Sequence, residues 1–102
     1  MKGRVKAERI DPVVHTLDDF LYTLKSKGFQ LGEDAIGFIY FGKHYTGQGD
    51  ELINAAIEVT LKVQKTFDGS FYLSLLETFA ANKITSKQEA LQYIKENRLF
   101  PF

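Results

Sequence analysis

His44 has the strongest chemical surroundings in the chain. It sits in Gly42-Lys43-His44-Tyr45-Thr46-Gly47-Gln48-Gly49-Asp50-Glu51, where an imidazole close to carboxylates has the composition of a general base. An enzyme centred on His44 would still need a nucleophile. The chain has no Cys, and no Ser stands at a motif spacing. Gly47-x-Gly49 lacks the third glycine and the Lys-Ser/Thr ending of a phosphate loop. His15 with Asp11, Asp18 and Asp19 has metal-ligand residue types. No His-x-x-x-His or Cys pair accompanies them, and both Asp18 and Asp19 suit a helix start. The residues therefore assign no catalytic group, no metal and no cofactor.

Two further sets of residues suit recognition. Lys2, Arg4, Lys6 and Arg9 face only Glu8 within the first nine residues, a basic arm suited to nucleic-acid phosphates. Residues 11–34 are acidic, with Asp11, Asp18, Asp19, Glu33 and Asp34 against Lys25 and Lys27. The formal charge of zero, from 13 basic and 13 acidic side chains, is thus a cancellation between segments. Aromatics make up 14% of the chain with no Trp, more than packing positions readily absorb. A Tyr hydroxyl prefers water or a partner, so Tyr40, Tyr45 and Tyr72 are the expected exposed aromatics.

The elements that carry these residues begin with a helix over Thr16 to Lys27. Thr16 is the expected N-cap, with Asp19 completing a capping box. Leu17, Phe20, Leu21 and Leu24 share one face, Gly28 suits C′, and Phe29 is placed to pack back on Leu24. A second helix follows Thr85-Ser86, capped by Ser86 and Glu89, with Ala90, Leu91 and Ile94 inward and Asn97 at its end. The apolar tail Leu99-Phe100-Pro101-Phe102 is expected to fold back on the core.

Between the helices the residues favour strands. Ala35 to Gly42 is rich in β-formers, with Gly37 marking a bulge or a close approach by another backbone. Ile57, Val59, Leu61 and Val63 alternate with polar residues, as do Phe71, Leu73 and Leu75. A three-residue loop, Phe67-Asp68-Gly69, keeps both apolar rows on one face. It also brings Glu77 to the core side, against the pattern. Residues 3–10 read as an optional edge strand.

The expected fold is a single α+β domain of two layers. An antiparallel sheet of three or four strands carries two helices on one face, in the order (β)αβββα. Tyr40, Tyr45, Lys62, Gln64 and Tyr72 would face water and bind a protein. An edge strand would offer a pairing surface to a second copy. The helix, three strands, helix order is similar to that of double-stranded RNA-binding domains. Ser86-Lys87-Gln88-Glu89-Ala90 is also similar to the start of their last helix. That family meets phosphates through a lysine cluster, where this chain has Lys83 and Lys87, so the resemblance carries no function over.

The expected function is a non-catalytic regulator or accessory module that binds another protein. The alternatives are a nucleic-acid binder using the basic arm with sheet-face Tyr and Lys, and a small enzyme at His44. No apolar run approaches the roughly 20 residues of a membrane span, and the cytoplasm is the expected location.

Overall fold

The computed structural model describes residues 16–97. Their order is α1 (Leu17–Ser26), α2 (Glu33–Thr46), α3 (Asp50–Gln64), α4 (Gly69–Ala81) and α5 (Lys87–Glu96). Among the described residues there is no strand. The α+β expectation is therefore overturned. With the sheet go its edge, the edge-paired homodimer, the water-facing sheet surface and the likeness to double-stranded RNA-binding order. The basic arm (Lys2, Arg4, Lys6, Arg9), the optional strand at 3–10, His15 and the tail at 99–102 lie outside the described residues.

The two outer helices form where their caps place them. Thr16 Oγ1 accepts from Asp19 N–H at 3.1 Å. At the other end of α1, Gly28 takes φ +95° and Phe29 N–H bonds Leu24 carbonyl at 3.0 Å, the expected glycine-terminated end. Ser86 Oγ accepts from Glu89 N–H at 3.1 Å. Glu89 reaches back to Thr85 N–H at 2.9 Å, and that hydrogen bond holds its carboxyl below the usual value.

The segment read as the first inner strand is α2. Gly32 precedes Glu33 and Asp34, acids that suit a helix N-terminus, and Gly47 closes the helix at φ +70°. Local β-propensity in Ile-Gly-Phe-Ile-Tyr-Phe is overridden by burial of Ile39 and Gly42 against α4.

The hairpin is two helices. In α3 the residues Leu52, Ile53, Asn54, Ala55, Ala56, Ile57, Val59, Thr60 and Leu61 are all buried. A helix enclosed on nearly every side shows no single apolar stripe, so its sequence loses the 3.6-residue signal. In α4 the buried set is Tyr72, Leu75, Leu76 and Phe79, which is helical spacing. Half-buried Phe71 and Leu73 supplied the false alternation. Asp68-Gly69 is a helix start: Asp68 Oδ1 accepts from Phe71 N–H at 3.0 Å. Glu77, the residue that disagreed with the hairpin, is exposed on α4.

Helix α3 contacts all four others. Its first two residues also tie chain-distant helix starts together. Asp50 accepts from Leu17 N–H at 2.9 Å, at the head of α1. Glu51 accepts from Lys87 N–H at 2.9 Å, at the head of α5. Each carboxylate satisfies an N–H that its own helix leaves without a partner. Glu51→Ala is expected to cost about 1.5–3 kcal/mol, the net worth of one hydrogen bond to a charged group. Urea unfolding measures it, and an unchanged midpoint would show the bond to be inert.

Candidate functional site

The outward face of α2 is defined by what its other faces hold. Ile39 carbonyl accepts from the Tyr72 hydroxyl at 2.7 Å, turning that side toward α4. Lys43 Nζ pairs with Asp50 at 2.6 Å, and the Tyr40 hydroxyl donates to the Asp18 carboxylate, fixing the flanks. Phe38 leans against the start of α4, where a side chain on Gly69 would lie 2.9 Å from its ring. The exposed residues of α2 are then Glu33, Asp34, Gly37, Phe41, His44 and Tyr45.

On this face the aromatic rings form a short ladder. Phe38 and Phe41 have ring centroids 5.5 Å apart, and Phe41 stacks on Tyr45 at 5.5 Å with 13° between planes. Phe41 is 50% exposed and Tyr45 64% exposed. Beside them, Gly37 opens a dent in the helix surface. A Cβ at Gly37 would meet nothing within 4 Å. A glycine inside a helix costs about 1 kcal/mol relative to alanine. Gly42 in the same helix has a packing reason, since a Cβ there would lie 2.7 Å from Tyr72 Cε2. Gly37 has none among the described residues.

The residues expected to bind a protein do not form one surface. Tyr45 is on the outward face. Tyr40 is half-buried, and its hydroxyl is spent on Asp18; losing that bond on ionisation holds its pKa above the ordinary phenol value. Tyr72 is fully buried, so its expected exposure is corrected; burial pushes its phenol pKa up. Lys62 and Gln64 are exposed in the last turn of α3. The rise from Asp50 to Lys62 is about 18 Å, which carries them away from the α2–α3 junction. Lys62 instead rims a groove of about 320 Å³ between α1 and α3, with Phe20, Leu24, Phe29 and Leu61 in its lining.

His44 lies on the helix and not in a glycine loop. Among the described residues no carboxylate hydrogen-bonds it, because Asp50 and Glu51 are engaged by Lys43, Leu17 and Lys87. No group of three or more His, Asp or Glu side chains able to hold a metal occurs among the described residues. None of the described helices is long and apolar enough to cross a membrane. Sequence reasoning missed Phe41, taken as core, and placed Gly37 in a strand, as a bulge or a close approach by another backbone. Their helical spacing with Tyr45, at i, i+4 and i+8, is the signal that finds them.

No curated protein and no solved structure matches the chain. A family model does match, over residues 13–100 of the 102, and the chain belongs to that family of unknown function, DUF6123.

Proposed function

We propose that this protein is a non-catalytic interaction module that docks a protein partner on the outward face of α2. One observation carries the reading. Two stacked aromatic rings, Phe41 and Tyr45, are exposed beside a helix glycine that packing among the described residues does not require. Exposed aromatic anchors on a rigid element are what protein interfaces bury at their centres. The stripe replaces the sheet face as the docking surface. The nucleic-acid alternative loses the sheet it relied on, and among the described residues no carboxylate hydrogen-bonds His44 to orient it. The cytoplasm remains our assignment, since a chain without Cys gives up no disulfide there.

A photo-crosslinking phenylalanine analogue at Tyr45 tests the reading in the cells the chain comes from. It is expected to give discrete protein adducts, while the same analogue at exposed Glu77 on α4 gives none. Adducts absent from position 45, or equal at both positions, would overturn it. Phe41→Glu is expected to abolish docking while shifting stability by no more than about 0.5 kcal/mol, as for surface substitutions.

A further inference from the structure

Resting on that reading, we propose that the occupant of this face is a second copy of the chain. The two α2 helices pair antiparallel, and each Phe41 ring seats over the other's Gly37.

The six exposed residues carry the argument. In a two-fold antiparallel pair, residue i of one helix faces residue j of the other with a constant sum i + j. Gly37 with Phe41 requires a midpoint at residue 39. Asp34 with His44 requires the same midpoint, and so does Glu33 with Tyr45. One axis at the height of residue 39, on the face opposite the buried Ile39, therefore satisfies all three pairs at once, each made twice. The pairs are also chemically matched: a ring over a bare helix backbone, a carboxylate against an imidazole, and a carboxylate against a phenol hydroxyl. The charge order along α2 points the same way. Its first turn is acidic, with Glu33 and Asp34, and its last turn carries Lys43 and His44. Antiparallel pairing sets the acidic end of each helix against the basic end of the other, and opposes their dipoles.

A surface that reads as its own complement about one point closes as a dimer and needs no other partner. Gly37 then has a function: it lets the two backbones approach and receives the ring. The interface is one helix of 14 residues, so the dimer is weak and forms at high concentration.

Sedimentation equilibrium up to about 500 µM provides the test. The wild-type chain is expected to approach twice its 11.6 kDa mass. Gly37→Gln fills the dent with a good helix former. It is expected to weaken dimerisation at least tenfold while melting no lower than wild type in dilute solution, which separates the effect from misfolding. Geometry is read by disulfides in a chain that has no Cys of its own. Asp34→Cys with His44→Cys is expected to oxidise to a covalent dimer. Either change alone is expected to give no covalent dimer. The two positions are about 15 Å apart along one helix, too far to bridge within a chain.

A monomeric wild type, an undiminished Gly37→Gln dimer, or equal cross-linking by Asp34→Cys alone would each overturn the proposal. A monomeric wild type whose position 45 still cross-links to a different protein overturns the second-copy inference and leaves the docking reading standing. Monomer with no adduct removes both.

Discussion

Gly42→Leu is expected to destabilise the fold by about 3 kcal/mol or more, the upper range for forcing volume into a packed core. The crossing of α2 and α4 depends on the bare backbone at this position. A Cβ at Gly42 would sit 2.7 Å from Tyr72 Cε2, 3.1 Å from Tyr72 Oη and 3.1 Å from Leu76 Cδ1. Tyr72 cannot give way. Its hydroxyl is held by Ile39 carbonyl, and its ring is flanked by Phe38 at 6.3 Å and Phe67 at 5.3 Å between centroids. The two helices must separate, and the buried hydroxyl loses its acceptor. Gly42→Ala gains about 1 kcal/mol of helix propensity but meets the same first contact, so it is expected to be net destabilising as well. Gly37→Ala is the internal control. It gains the same propensity into open space and is expected to stabilise dilute protein by about 0.5–1 kcal/mol. Urea denaturation of the three variants checks this. Equal effects at the two glycines would show that the α2–α4 crossing is not set by Gly42.

Asp50→Ala is expected to cost about 2–3 kcal/mol. The carboxylate makes a hydrogen bond to the Leu17 N–H and a 2.6 Å ion pair with Lys43, and Leu17 is itself buried. Truncation leaves an N–H at the head of α1 without its charged acceptor, a loss larger than that of a neutral surface bond. Asp50→Asn keeps an oxygen for Leu17 and loses the charge, so about 1 kcal/mol is expected. The same site makes stability depend on acid. Its bonds to Lys43 and to Leu17 N–H hold the Asp50 carboxyl below its ordinary value of 3.8. A carboxylate lowered in the folded state contributes in full above its unfolded value, and that contribution is lost as pH falls through the lowered folded value. Unfolding midpoints measured from pH 6 down to pH 2 are expected to fall more steeply below about pH 4 for wild type than for Asp50→Asn. Parallel curves would contradict the assignment.

The terminal features of α1 and α5 were legible because caps are local. Thr16 with Asp19, Gly28 with Phe29 and Ser86 with Glu89 each act within one turn, through bonds that the backbone makes whatever the rest of the chain does. The inner three helices were misread for a reason that is not local. α3 is buried on nearly all sides, so its residues Ile57, Val59, Leu61 and Val63 look like one face of a strand when they are several faces of a helix. Asp68-Gly69 has the composition of a hairpin turn and of a helix N-terminus alike. The exposed Glu77 was the mark of the wrong period, since a helix places it outward without strain.

The same division applies to the candidate site. Tyr45 was recognisable as exposed from its hydroxyl and its neighbours. Tyr72 was not recognisable as buried, because its burial rests on the approach of Gly42 from a helix thirty residues earlier.

By itself, then, the amino-acid order determined where the first and last helices begin and end. It also determined that the chain is charge-balanced by segments and that it holds no thiol chemistry. Only the tertiary structure decided that the middle is helical and that α3 is its axis. It also set Phe41, Tyr45 and Gly37 together on an outer face. Those outcomes depend on which surfaces are covered by residues far away in sequence, and burial of that kind outweighs the few tenths of a kcal/mol per residue by which local propensity prefers strand or helix.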